Sequence, residues 1–222
     1  MFTTRFQAWV RRNAQRLARV LGALPVTPNM ITVAGMAVTF GSAALVGFGQ
    51  LRWAALVLAF AGTFDILDGA LARATNRSYP YGAFLDSTTD RASEGAVYMG
   101  IAAYFLWQRP GFPWSRWAIL ACVAALAGSF LVSYVRARAQ SLGYNCDVGL
   151  FARPERVALT VVGLLIGDPT VLAILVITLA VVANLTVLQR INEVWRQARA
   201  ERRAATAATK LPTSRSGERT VP

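Results

Sequence analysis

Five acidic side chains recur at helical spacing inside two apolar stretches of the sequence. They are Asp65, Asp68, Asp86, Asp90 and Glu94. On a helix, the first two share one face because they lie three residues apart, and the last three form a second stripe at intervals of four. A lone carboxylate at the centre of a membrane-spanning helix costs about 2.5 to 3.5 kcal/mol to insert. We therefore expect these groups to be compensated at a shared polar site.

The four aspartates predict a site for divalent cations. If residues 75–81 form a short turn between antiparallel helices, Asp65 and Asp90 lie about equally far from that turn. Asp68 and Asp86 are matched in the same way, somewhat nearer to the turn. Four carboxylates at one point would repel one another and become protonated unless cations joined them. Oxygen ligands without nitrogen or sulfur suit Mg²⁺ or Mn²⁺, and two such ions balance four aspartates in formal charge.

Small and basic residues beside the acids favour a phosphorylated ligand. Gly69 and Gly82 would let a ligand approach the helix backbone closely. Arg73 lies one turn beyond Gly69, where it can meet a phosphate. Two other interpretations of the acids stay open at this point. They could line the cation pathway of a transporter, or they could pair with Arg73 and Arg91 as structural ion pairs.

A second polar group predicts a phosphate site between the fourth and fifth apolar runs. It contains Arg136, Arg153 and Arg156. The last two lie three residues apart around Pro154, which can begin a helix at its first turn. A helix N-terminus with two forked donors suits a phosphate dianion. Loop arginines that only follow the charge bias of membrane proteins would give the same composition.

The rest of the sequence predicts a membrane scaffold for these groups. The chain has 222 residues, of which 55% are apolar and 15% charged, and this is too apolar for an ordinary soluble domain. It contains no histidine, which excludes Ser-His or Cys-His nucleophiles and histidine-ligated metals. Its two cysteines provide no disulfide framework. The net charge of +12 suits the cytoplasmic loops of a membrane protein, and no nucleic-acid partner is expected.

Six apolar runs predict six membrane-spanning helices. The runs lie at about 30–49, 52–74, 82–108, 116–140, 155–167 and 169–189. The fifth run is short, but charge supports six crossings. With six crossings, only Arg52, Arg109 and Arg116 lie on the outer side, whereas the other twenty basic residues lie inside. Both termini and the polar site are expected to face the cytoplasm, in the cell (plasma) membrane.

The expected fold class is an all-α integral membrane protein with six transmembrane helices preceded by an amphipathic interfacial helix. Residues 1–24 predict that amphipathic helix, because apolar and arginine side chains fall on opposite sides of a helical wheel. Residues 25–197 predict the six-helix domain. Residues 198–222 lack periodicity and predict a disordered cytoplasmic tail.

The aspartates belong to a longer motif that resembles the signature of the CDP-alcohol phosphotransferase family. It reads Asp65-x-x-Asp68-Gly69-x-x-Ala72-Arg73, then eight residues, then Gly82-x-x-x-Asp86-x-x-x-Asp90. Every fixed position matches, and the resemblance extends over about residues 25–197. It implies an enzyme that moves a phosphatidyl group from a CDP-linked lipid to an alcohol and releases CMP. It also implies two bound Mg²⁺ ions, with Mn²⁺ as an alternative, and a homodimer among membrane lipids.

The resemblance assigns roles to individual residues. The expected metal ligands are Asp65, Asp68, Asp86 and Asp90, of which the last is also the expected general base. The residues expected to contact the CDP-lipid are Asn29, Met30, Ile31, Thr32, Gly69, Ala72, Arg73, Tyr79 and Gly82. Glu94 receives no role from the motif.

The acceptor follows from a narrower resemblance. Residues 133–139 and 151–156 resemble the actinobacterial phosphatidylinositol phosphate synthases, which use inositol 1-phosphate (myo-inositol 3-phosphate) as acceptor. Residues matching Arg136, Arg153 and Arg156 hold its phosphate there, although that group more often carries Lys at the first position. Glycerol 3-phosphate would suit the same arginines, which would make a phosphatidylglycerophosphate synthase. An archaeal donor lipid would make an archaetidylinositol phosphate synthase. A divalent-cation transporter is the alternative outside the enzymes.

Overall fold

The computed structural model describes residues 27–74, 79–149 and 153–209, and all regular secondary structure in these ranges is helical. The helices are α1 (Pro28–Gly47), α2 (Leu51–Ala74), α3 (Pro80–Ala103), α4 (Ser115–Ser141), α5 (Arg153–Ile166) and α6 (Pro169–Thr209). A π-helical segment, Tyr104–Gln108, continues α3. The prediction of an all-α fold is confirmed for this part of the chain.

Four of the described helices are long and apolar enough to cross a membrane, namely α1, α2, α4 and α6. α3 carries Asp86, Asp90, Arg91 and Glu94 within 24 residues. α5 has 14 residues, which span only about 21 Å at 1.5 Å per residue, against a hydrocarbon core of about 30 Å. The chain is a multi-pass membrane protein, and six crossings remain a prediction. The predicted amphipathic helix at 1–24 lies outside the described residues.

The final helix corrects one expectation. α6 continues to Thr209, so the prediction of disorder from residue 198 onward is wrong for residues 198–209. This stretch lacks an apolar stripe, but alanine, arginine and glutamate are strong helix formers, so that intrinsic propensity favours helix there. Residues 210–222 lie outside the described part of the chain.

Helix starts follow local capping chemistry. Thr27 caps α1, since its hydroxyl accepts a hydrogen bond from the backbone N–H of Met30 and Pro28 occupies the first helical position. Before α6, one carboxylate oxygen of Asp168 accepts the N–H groups of Thr170 at 2.8 Å and Val171 at 3.0 Å. These hydrogen bonds, chiefly the one from Val171, lower the pKa of Asp168 below its ordinary value.

Small residues allow the helices to pack closely. A Cβ atom built on Gly100 of α3 would lie 2.4 Å from the backbone oxygen of Ala43 in α1. Between α4 and α6, Asn184 donates its side-chain amide to the backbone oxygen of Ala124 at 3.1 Å. The fully buried side chains of the main core include Phe105, Ile101, Leu164, Leu172 and Val46. This core is contiguous and holds the helices around the polar residues.

The way in which α1, α2, α3 and α5 pack leaves a gap beside the acidic residues. α1 packs against both α2 and α3, whereas α5 packs against α2. Within the described ranges, α3 makes no close backbone contact with either α2 or α5. The two helices that carry the acidic stripes therefore face each other across open space rather than through a packed interface.

Candidate active site

Two neighbouring cavities occupy this gap. The first, called here the arginine cavity, has a volume of about 50 Å³. Its charged lining residues are Asp65, Glu94, Arg153 and Arg156. The second, called the glycine cavity, has a volume of about 200 Å³. It is lined by Pro28, Asn29, Thr32, Asp68, Gly69, Ala72, Tyr79, Gly82, Ala83 and Asp86. Acidic residues of the sequence motif line both cavities, and the basic groups of the arginine cavity come from Arg153 and Arg156 of α5.

Arg153 compensates two of the aspartates at once. Its Nη1 atom lies 2.7 Å from Oδ2 of Asp65 on α2 and 2.6 Å from Oδ1 of Asp90 on α3. The two carboxylates therefore lie at the same depth, as their distance from the turn predicted. The Nε atom of Arg153 is buried and has no hydrogen-bond partner among the described residues.

The second matched pair faces the glycine cavity. Asp68 is 7% exposed and is held in place from two sides. Its Oδ2 accepts a hydrogen bond from the hydroxyl of Thr32 at 2.7 Å, and its Oδ1 accepts the N–H of Gly69 at 2.5 Å. Asp86 is exposed on the opposite wall. Thr32, expected to contact the CDP-lipid, therefore also orients a predicted metal ligand.

Glu94 forms a third polar group that the motif did not predict. Its two carboxylate oxygens accept hydrogen bonds from Nε and Nη2 of Arg156 at 2.7 and 3.0 Å. Ser129 of α4 donates to the same carboxylate at 3.0 Å, and Tyr98 donates at 3.4 Å. The sequence does carry a signal for this pair. Glu94 continues the stripe of Asp86 and Asp90, and Arg156 lies one turn after Arg153.

Several expected site residues lie elsewhere. Met30 is 56% exposed, and Ile31 is buried against Ala70 and Leu71, so neither lines the two cavities. Arg136 is exposed and pairs with Asp147 at 2.7 Å, and the structure does not bring it into the arginine cavity beside Arg153 and Arg156. The backbone of Arg73 belongs to α2, but its side chain lies outside the described part of the chain.

The aspartates fit divalent cations by the chemistry of their donor atoms. All four supply carboxylate oxygens, which suit Mg²⁺ and Mn²⁺. In the described part of the chain, however, no three acidic or thiol groups are close enough to one another to hold a metal ion. The expectation that all four meet at one point differs from this arrangement. The physical reason is that α2 and α3 are not packed together and that the guanidinium of Arg153 balances two of the charges.

Comparison with known proteins gives consistent matches over most of the chain. A family model described as CDP-alcohol phosphatidyltransferase matches residues 25–195. The archaetidylinositol phosphate synthase of Methanothermobacter thermautotrophicus is 37% identical over 195 residues, covering 86% of this chain and 93% of that protein. The phosphatidylinositol phosphate synthase of Mycolicibacterium smegmatis is 36% identical over 176 residues, covering 76% and 78% respectively.

Solved structures match the fold as well. The phosphatidylinositol phosphate synthase of Mycobacterium tuberculosis with CDP-DAG bound superimposes with a TM-score of 0.77 at 32% identity, covering 83% of this chain and 94% of that one. The same protein in complex with manganese and citrate gives a TM-score of 0.76 at 33% identity, covering 82% and 88%.

Proposed function

The chain belongs to the CDP-alcohol phosphatidyltransferase family, and from that premise we propose that it transfers a phosphatidyl group from CDP-diacylglycerol to a hydroxyl of inositol 1-phosphate (myo-inositol 3-phosphate). The enzyme class is thereby established as a CMP-releasing phosphatidyltransferase of lipid synthesis. The observation that supports a phosphorylated acceptor is the arginine cavity, because Arg153 and Arg156 line it directly beside the acidic residues. Similarity to phosphatidylinositol phosphate synthases favours inositol 1-phosphate among such acceptors.

The glycine cavity suits the CDP moiety of the donor lipid. Six of the nine residues expected to contact it line this one space, namely Asn29, Thr32, Gly69, Ala72, Tyr79 and Gly82. A Cβ atom on Gly82 would lie 3.4 Å from Oδ1 of Asn29 and would narrow the cavity. Small side chains on both walls let a diphosphate approach the helix backbone. We assign Arg73 to the same group from the motif.

The arginine cavity suits the phosphate of the acceptor. Arg153 contributes a buried donor without a partner among the described residues, and Arg156 provides a second guanidinium on the same helix. Paired arginines at a helix start recognise phosphate through several charge-assisted hydrogen bonds. Arg136 would contribute to this phosphate site only if its ion pair with Asp147 broke.

The four aspartates would hold two divalent ions, Mg²⁺ or Mn²⁺. When bound, such ions neutralise charge on the oxygens of a diphosphate during its displacement. The proton transfer and the orientation of the ligands use side chains of the protein. The carboxylate of Asp90 accepts the proton of the acceptor hydroxyl. The hydroxyl oxygen then bonds to the lipid-side phosphorus, the bond from that phosphorus to the bridging oxygen breaks, and CMP leaves with the electron pair. Thr32 keeps Asp68 oriented.

The membrane arrangement that we propose has six crossings, both termini in the cytoplasm of the cell and the site on that side of the plasma membrane. α3 has 24 residues, which is about 36 Å of helix, long enough to cross. The acids of α3 can be accommodated because Asp86 and Glu94 line the cavities and Asp90 pairs with Arg153. Family resemblance also supports a homodimer.

The decisive assay measures CMP release by the purified protein from CDP-diacylglycerol with Mg²⁺. Inositol 1-phosphate, free inositol and glycerol 3-phosphate are added in separate reactions. We expect release with inositol 1-phosphate and much less with the other two. Preference for glycerol 3-phosphate would refute the acceptor assignment, whereas no release with any alcohol would refute the transferase.

A second candidate differs only in the donor. The 37% identity with an archaetidylinositol phosphate synthase favours it, because that relative is similar over most of both chains. Repeating the assay with a CDP-linked archaeal ether lipid separates the two donors. Faster turnover of the ether lipid would favour this candidate over CDP-diacylglycerol.

A further inference from the structure

Glu94 joins three helices at the wall of the arginine cavity. It lies on α3, accepts two hydrogen bonds from Arg156 of α5 and accepts a third from Ser129 of α4. The side chains of Glu94 and Arg156 are only 11% and 9% exposed. A buried carboxylate held in this way cannot rearrange without leaving a charge unpaired, which is costly.

The two arginines of α5 are held in different ways. Arg153 is 27% exposed and reaches Asp65 and Asp90 through a single nitrogen atom. Arg156 engages both oxygens of one carboxylate through two nitrogen atoms. Such a bidentate pair fixes the plane of a guanidinium, whereas contacts through a single nitrogen do not define that plane. Arg156 is therefore the geometrically defined arginine of the cavity.

The ion pair between Glu94 and Arg156 helps to place α5 beside α3, because no direct backbone packing joins the described parts of these two helices. Within the described ranges, α3 and α5 have no close backbone contact. Long side chains that cross the arginine cavity link them instead. Packing against α2 sets where α5 lies, and two side-chain links then connect its first turns to α3, namely Arg153 with Asp90 and Arg156 with Glu94.

We propose that Glu94 is a positioning residue for the acceptor phosphate, acting through Arg156. The proposal rests on the proposed function, since it assumes that a phosphorylated alcohol occupies the arginine cavity. The carboxylate holds the Arg156 guanidinium in one orientation and neutralises it while the cavity contains no acceptor. Loss of this support weakens acceptor binding and leaves the donor lipid in the glycine cavity unaffected.

The test compares kinetic constants of Glu94→Gln with those of the unmodified enzyme. The variant keeps the size of the side chain but removes its charge and one acceptor oxygen. We expect the KM for inositol 1-phosphate to rise about 10- to 100-fold, because small misplacements of binding groups have effects of that order. The KM for CDP-diacylglycerol and kcat are expected to stay within about twofold, since neither depends on acceptor affinity.

The direction of the change separates positioning from simple repulsion. If Glu94 only repelled the acceptor phosphate, removing its charge would lower the acceptor KM. Arg156→Lys keeps the positive charge but loses the fork and should raise the acceptor KM as Glu94→Gln does. The double variant should be no worse than the poorer single variant, because both changes disrupt one unit. Glu94→Asp should recover part of the affinity, since it keeps the carboxylate.

Two further variants keep the test decisive. Ser129→Ala removes one hydrogen bond to Glu94 at a fully buried position and should raise the acceptor KM by about threefold to tenfold. This is less than the full value of one hydrogen bond to a charged group, because Ser129 acts on the acceptor only through Glu94 and Arg156. This variant tests the proposal even if Glu94→Gln does not fold. Glu193→Gln is the matched control, because Glu193 bonds to Gln197 and lines neither cavity. It should leave all constants unchanged.

The outcomes distinguish this proposal from the proposed function. A selective rise in acceptor KM supports the positioning role. An unchanged or lowered acceptor KM, or an equal rise in donor KM, overturns it while the transferase assignment stands. If the unmodified enzyme released no CMP with any phosphorylated alcohol, the proposed function would fail, and the positioning role would fail with it.

Discussion

Gly100 should be required for the contact between α1 and α3, and Gly100→Ala should destabilise the fold. A Cβ atom there would lie 2.4 Å from the backbone oxygen of Ala43 and 3.1 Å from its Cα, whereas Cβ contacts under 3.0 Å essentially never occur. The obstacle is backbone and cannot rotate away. Overpacking costs about 1 to 3 kcal/mol, and the better helix propensity of alanine offsets about 0.5 to 1 kcal/mol. The difference is about 0 to 2.5 kcal/mol, and we expect a net loss of about 1 to 2 kcal/mol within that range because the backbone of Ala43 cannot rotate away.

This loss can be measured as a thermal shift in detergent. Each kcal/mol lowers the Tm of a chain of this size by about 2 to 4 °C, so Gly100→Ala should lower it by about 2 to 8 °C. Cys122 and Cys146 are 2% and 0% exposed, so a thiol-reactive fluorogenic dye reports unfolding directly. Gly41→Ala on α1 is the control, since nothing lies within 4 Å of its Cβ position. A Gly100→Ala protein as stable as this control would refute the close-packing argument.

Three shorter predictions concern the site and the start of α6. Asp90→Asn should lower kcat by about 10²- to 10⁴-fold in protein that still folds, and normal turnover would exclude Asp90 as general base. Thr32→Val removes the hydroxyl that donates to Asp68. It should raise the Mg²⁺ concentration for half-maximal activity about 10- to 100-fold, because a metal ligand then loses the group that orients it. An unchanged Mg²⁺ requirement would contradict this orienting role of Thr32. The pKa of Asp168 is lowered in the folded protein, so its contribution to stability is complete above the ordinary aspartate pKa and is lost as pH falls through the lowered value. Between about pH 5 and about pH 2, a range that begins above the ordinary aspartate pKa and ends below it, the Tm of the unmodified protein should therefore fall more than the Tm of Asp168→Ala. Equal falls would show that the Asp168 cap contributes nothing to stability.

The depth of the acidic residues could be predicted from the sequence, but their partners could not. Helical rise alone matched Asp65 with Asp90, and one atom of Arg153 contacts both in the structure. The position of Arg153 depends on how α5 packs against α2, which is a tertiary property. The same reason explains Glu94, whose stripe is visible in the sequence but whose partners come from α4 and α5.

Charge pattern and hydrophobic periodicity alone do not predict the partner of Arg136 or the end of α6. Arg136 resembled an acceptor ligand by its position in a motif, but it pairs with Asp147, which lies eleven residues later in the following loop. The last part of α6 was missed because the prediction relied on an apolar stripe, whereas alanine-rich segments form helix by propensity alone. Local motifs with fixed spacing thus name many of the residues that line the two cavities, whereas contacts between distant elements depend on the fold.

Binding of Mn²⁺ to the aspartates tests the central claim most directly. Electron paramagnetic resonance can count the bound ions in the purified protein with CDP-diacylglycerol present. We predict two bound ions per chain, with binding lost in Asp65→Asn and Asp86→Asn and retained in the control Glu193→Gln. Equal Mn²⁺ binding by all four proteins would contradict the assignment of these aspartates as the metal ligands of the enzyme.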